Sequence, residues 1–120
     1  MYVANLHTMP IARRNHTLRA IRTIKPVNAI DIDGTLNEDM GYKNYEIAPP
    51  KRDVIEKVQA LDGFKIGYTA RSESDREVTE NWMRLHGIEL DAIIFDKMPF
   101  TKLIDDRVQH VDRFMENPSV

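Results

Sequence analysis

Residues 27–36 read Val-Asn-Ala-Ile-Asp31-Ile-Asp33-Gly-Thr35-Leu, and that stretch decides the fold. Val27 to Ile32 is a short apolar run after Lys25-Pro26, which suits a buried parallel strand. It stops at Asp33-Gly34, where a polar residue and a glycine turn the chain. Downstream, residues 34–49 have no clear period and read as a loop or flap. Pro50 suits a first helical turn, and Val54, Ile55, Val58 and Leu61 follow at helical spacing until Asp62-Gly63. Phe64, Ile66 and Tyr68 alternate as a second strand. Ser74 and Glu77 have capping-box spacing ahead of a helix with the stripe Val78, Trp82 and Leu85, closed by Gly87.

Ala92 to Phe95 is a third apolar run. Leu103-Ile104 predicts a short fourth strand ending at Asp105-Asp106. Val108, Val111, Phe114 and Met115 mark a last helix, which Asn117-Pro118 ends. This order of elements predicts an α/β protein: a three-layer α/β/α sandwich around a mainly parallel, Rossmann-like sheet. Ligands of such sheets bind where the strands end.

The reactive groups fall at those ends. Strand 1 ends in Asp31 and Asp33, strand 2 in Thr69-Ala70-Arg71, and strand 4 in Asp105-Asp106, with Lys97 following strand 3. Residues two apart on an extended chain point the same way, so Asp31 and Asp33 are expected to share a site, joined by Asp105 and Asp106. Carboxylates crowded together need a compensating cation, and an all-oxygen set selects Mg²⁺. A free carboxylate, a hydroxyl and a lysine beside that ion suit phosphoryl transfer. Asp31 is then the nucleophile, forming an aspartyl-phosphate, and Asp33 the general acid and base. Thr69 and the N–H groups after it would hold the phosphoryl oxygens, and Lys97 would offset their charge. Taken singly, each segment also has a structural explanation: a turn, a strand end, a surface lysine, a helix cap. Their ordered recurrence at successive strand ends favours chemistry.

In that order the segments resemble the four motifs of the haloacid dehalogenase (HAD) superfamily of phosphohydrolases, across about residues 27–116. The resemblance implies an HAD-like catalytic domain over 27–120. It also implies Mg²⁺ held by the Asp31 carboxylate, the Asp33 carbonyl and Asp106, with Asp105 behind. Asn44-Tyr45-Glu46-Ile-Ala-Pro49, Thr69-Ala-Arg71, Thr79-x-x-Trp82, His86-Gly87-Ile88 and Ile104-Asp-Asp-Arg107 resemble the small HAD proteins labelled capsule-polysaccharide biosynthesis phosphatases. The last of these segments also resembles the phosphatase domain of phage polynucleotide kinases. Where small relatives continue Gly-Lys-Pro and then Asp, this chain reads Asp96-Lys97-Met98-Pro99-Phe100-Thr101.

Only 35 residues separate Asp33 from Thr69, which leaves no room for a cap domain. A capless site is open, so it takes a large substrate or borrows a second subunit as a lid. Gly34, Thr35, Ala70, Arg71 and Tyr45 are the candidate substrate contacts, with Tyr42 and Glu46 on the same flap. Arg71 could grip a second anionic group or make a surface ion pair.

The chain has 120 residues, 42% of them apolar and 30% charged, and no Cys. The lack of Cys excludes a disulfide scaffold, a thiolate metal site and a Cys nucleophile, and suits a reducing, cytoplasmic setting. The net charge of −2 is unevenly spread. Residues 1–26 hold Arg13, Arg14, Arg19, Arg22 and Lys25 without an acid, and the rest is acidic. That basic arm, with Ile11, Leu18, Ile21 and Ile24 at near-helical spacing, reads as a solvated arm, a docking helix or a nucleic-acid contact. It has no stacking aromatics over 9–25, and its apolar face is narrow for a membrane surface. The leading expectation is a Mg²⁺-dependent phosphatase of a small metabolite such as a sugar phosphate. The alternatives are a polynucleotide 3′-end phosphatase or nucleotidase using the arm, and a non-catalytic binding module.

Overall fold

The computed structural model describes residues 6–116. Three strands, β1 (Val27–Ile30), β2 (Phe64–Tyr68) and β3 (Ala92–Ile94), form one parallel sheet in the order β1-β2-β3. Val27 lies opposite Phe64, and Ile66 opposite Ala92. The helices are α1 (Ile11–Arg22), α2 (Arg52–Gln59), α3 (Arg76–Leu85) and α4 (Val111–Glu116). The chain is thus a mixed α/β protein.

Strand alternation divides the apolar side chains between two clusters. Ile30, Ile32 and Ile93 pack with Leu36, with Val54, Ile55 and Val58 of α2, and with Trp82 and Met83 of α3. Phe64, Ile66, Ala92 and Ile94 pack instead with Leu6 and Ile21. Residues 6–26, set apart in the sequence by their charge, therefore supply part of the core. Leu6 is fully buried, while Ile11 and Ile24 are exposed. The turn into β2 requires its glycine: Gly63 has φ +87°, and a Cβ there would meet the Pro26 carbonyl oxygen at 2.2 Å.

Several elements differ from expectation. The buried face of α3 is Thr79, Trp82 and Met83, and Leu85 is 74% exposed. The i, i+3, i+4 set from Thr79 competes with the Val78 stripe, and it wins because Trp82 and Met83 bury the larger surface together. The Ser74–Glu77 capping box does not form. Instead the Ser72 hydroxyl caps a 3-10 turn, Glu73–Asp75, from which α3 grows. The flap contains a 3-10 segment, Tyr42–Ile47, kinked at Asn44.

The fourth strand is absent: residues 98–110 contain no strand or helix, and Ile104 is 89% exposed. Leu103 and Ile104 are the apolar pair of that stretch, flanked by Lys102 and Asp105, and two side chains bury too little to offset the ordering of a strand. Val108 is also exposed, whereas Val111, Phe114 and Met115 of α4 pack against the larger cluster. Lys57 Nζ donates to the Phe114 carbonyl at 2.6 Å and fixes α4 to α2. The expected stop at Asn117-Pro118 lies outside the described residues. No helix among those described is long and apolar enough to cross a membrane.

Candidate functional site

The parallel sheet delivers three of the expected segments to one end. Past β1, the Thr35 and Leu36 N–H groups both donate to the Ile32 carbonyl, so the chain turns at once. Asn37 is fully buried; its Oδ1 accepts from Gly34 N–H at 3.0 Å and its Nδ2 donates to Asp33 Oδ1 at 3.2 Å. Past β2, Thr69 is buried and its hydroxyl oxygen accepts from the Arg71 N–H at 3.1 Å. Past β3, Asp96 has φ +59°, a conformation that Asp tolerates better than most residues. That turn sends the Asp96 and Lys97 N–H groups back to the Arg71 and Thr69 carbonyls, at 2.8 and 2.9 Å. Lys97 is thereby brought beside strand 1, so the departure at Asp96 does not displace it.

The two strand-1 carboxylates have separate partners. Asp31, with its side chain 41% exposed, accepts from the Thr35 hydroxyl at 3.1 Å and lies 3.8 Å from Lys97 Nζ. Asp33 is gripped by Arg71, with Nε to Oδ2 at 2.9 Å and Nη2 to Oδ1 at 2.7 Å. Burial pushes the Asp33 carboxyl up. The Arg71 hydrogen bonds and charge, with Asn37, outweigh burial and hold it below the usual carboxylate range. Tyr45 stacks over the Arg71 guanidinium, 3.6 Å from ring centre to Cζ. Its phenol is pushed up by burial and by the Asp33 charge, partly countered by Arg71. The flap that carries Tyr45 is held by the Trp82 indole N–H on the Ala48 carbonyl at 2.9 Å.

Some expected groupings do not occur. Gly34 and Thr35 use their N–H groups within their own turn, and the Thr35 hydroxyl turns to Asp31. Ala70 is exposed. Tyr42 and Glu46 are exposed on the flap, with Tyr42 edge-on to Tyr45. Asp105 and Asp106 do not join Asp31 and Asp33; they sit on the exposed stretch, where Asp105 Oδ1 accepts the Arg107 N–H at 2.8 Å. These four carboxylates therefore do not gather around a single point. Arg71 holds both side-chain oxygens of Asp33, whose expected metal contact is its main-chain carbonyl, and no group of three or more His, Asp or Glu among the described residues is gathered as a metal would need. A cleft of about 610 Å³ runs along β3 and α3 and is lined by none of the strand-end groups.

The fold and this end of the sheet define an α/β protein with an accessible carboxylate–lysine pair beside a clamped carboxylate. A crystal structure of an MCSG target from Vibrio cholerae is similar, with a TM-score of 0.63 and 24% identity over 75% of this chain and 87% of that one. That likeness concerns the fold. No family model matches the chain, and no curated protein does.

Proposed function

We propose that the protein is a phosphohydrolase of the HAD type that hydrolyses a phosphate monoester through an aspartyl-phosphate at Asp31. The observation that carries this reading is the exposed Asp31 carboxylate, oriented by the Thr35 hydroxyl and 3.8 Å from Lys97 Nζ, at the carboxyl end of a parallel strand. A carboxylate with solvent access is a competent nucleophile, and the adjacent ammonium lowers the cost of bringing an anionic phosphoryl group to it. An Asp31 oxygen attacks phosphorus, the bond to the leaving oxygen breaks, and that oxygen takes a proton from solvent water. Water then attacks phosphorus, releasing phosphate and restoring Asp31. Held as a carboxylate, Asp33 is suited to accept the proton of that water. Protonating the leaving oxygen is the harder half of its assignment.

The reading extends to three layers, with α1 on one side of the sheet and α2 and α3 on the other, and to an open site without a cap. The substrate class is a small phosphorylated metabolite. Mg²⁺ remains the proposed cofactor and would supply charge neutralisation at the phosphoryl group. The side chains as placed do not gather around one, so no step above passes through it.

An aryl phosphate tests the core claim best, because its leaving group departs without an acid. Hydrolysis is expected in wild type with added Mg²⁺ and a loss of at least about 10³-fold in Asp31→Asn. Equal rates for the two proteins would end the reading.

A polynucleotide end phosphatase is the second reading, favoured by one observation. Arg13, Arg19, Arg22 and Lys25 are exposed on or just after α1 and carry no ion pair among the described residues. Because Leu6 and Ile21 are core residues, deletion of the segment would unfold the protein. Arg19→Glu with Arg22→Glu is the cleaner variant. It should abolish any preference for 3′-phosphorylated oligonucleotides over mononucleotides, with a weaker salt dependence.

A further inference from the structure

We propose that Arg71 is a positioning residue that fixes the Asp33 carboxylate for the reaction, and that it makes no contact with substrate. The catalytic consequence rests on the phosphohydrolase reading; the clamp itself does not. Each of the three guanidinium nitrogens has a partner within the protein. Its Nε and Nη2 form a two-point fork on the Asp33 oxygens, and its Nη1 donates to the Thr79 hydroxyl at 2.8 Å. One face is covered by the Tyr45 ring. The side chain is 1% exposed, so no nitrogen is left to meet a ligand's anionic group. Of the two expectations for Arg71, the ion pair is the one seen, buried rather than at the surface.

A planar fork sets the rotation of a carboxylate as well as its position, which a point charge cannot do. Asn37 Nδ2 on Oδ1 adds a third fixed direction. Arg71 is held from two further elements, by Thr79 on α3 and by Tyr45 on the flap. The orientation of Asp33 therefore depends on side chains beyond its own contacts. A general acid or base has to be held within a fraction of an ångström of its productive place. Loosening the fork should slow turnover without weakening substrate binding.

Steady-state kinetics on an aryl and an alkyl phosphate, with Mg²⁺ in every arm, tests this on the full-length protein. Arg71→Lys keeps the charge and loses the fork. It should lower kcat by about 10–100-fold, more for the alkyl ester, with KM within about twofold. Tyr45→Ala removes the ring over the guanidinium and should lower kcat about tenfold. A raised KM with kcat intact in Arg71→Lys would overturn the proposal, as would wild-type kinetics in that variant. Because Arg71 is buried, its variants can fail to fold, so a second readout uses proteins with Arg71 present. The Arg71 Nε–H signal in NMR should be protected from exchange in wild type and lose protection in Asp33→Ala. Protection without hydrolysis of either ester supports the clamp and overturns the phosphohydrolase reading. Hydrolysis with an unprotected Nε–H overturns the clamp.

Discussion

The ends of β1 and β2 and the stretch 98–110 both carry paired acids and apolar neighbours, yet they are held in opposite ways. At the strand ends each polar group has a partner inside the fold: Asp33 with Arg71 and Asn37, Arg71 with Thr79, Thr69 with the Arg71 amide. Residues 98–109 contain no strand or helix, and Met98, Leu103, Ile104 and Val108 are exposed. The difference lies in what the local sequence can bury. Val27 to Ile32 enters a core from two sides, whereas Leu103-Ile104 stands between charged residues. Acids at the end of a buried strand are placed by its register; acids beyond an unburied pair have only local contacts.

The comparison breaks most readily at its tight end. Arg71→Met leaves the Asp33 carboxylate without its partner and should cost about 3 kcal/mol, toward the low side for buried pairs because Asp33 keeps some exposure. Urea denaturation of the variant checks this. Leu6→Ala should cost about 2–3 kcal/mol by opening a cavity in the second cluster. A change below about 0.5 kcal/mol would make the N-terminal segment dispensable to the core. At the loose end, Ile104→Ser should alter stability by less than about 0.5 kcal/mol. Limited trypsin digestion should likewise cut after Lys102 or Arg107 before any site in α2 or α3.

The smallest effect concerns His86, whose ring lies against Trp82 with centroids 4.7 Å apart. Burial, and then the Arg52 charge, hold its pKa below the ordinary value. The unfolded chain therefore binds this proton more readily. The His86 contribution is complete above the ordinary histidine pKa and is lost as pH falls below it. His86→Asn should flatten that part of the stability–pH curve.

Much of this was legible in the sequence. The strands and α2 follow from period and from the glycines and prolines between runs. The strand-end positions of Asp31, Thr69 and Lys97 follow from where those runs stop. The Arg71–Asp33 fork was not legible, since it joins residues far apart in the chain through the pairing of Ile30 with Gly67. A usable signal was present: an arginine two residues beyond the threonine that ends the neighbouring strand. The packing of α1 was hidden by its charge. Ile11, Leu18, Ile21 and Ile24 offer several stripes, and the selection of Ile21 with Leu6 is made by the far side of the sheet.

The central claim is that Asp31 is the nucleophile. Rapid acid quench after mixing with an aryl phosphate and Mg²⁺, followed by peptide mass analysis, tests it, with Asp33→Asn included to slow breakdown of the intermediate. The account predicts one added phosphoryl group on the peptide containing Asp31, in wild type or accumulating in Asp33→Asn, and none in Asp31→Asn. Steady hydrolysis in Asp31→Asn, or the phosphoryl group on another residue, would contradict it.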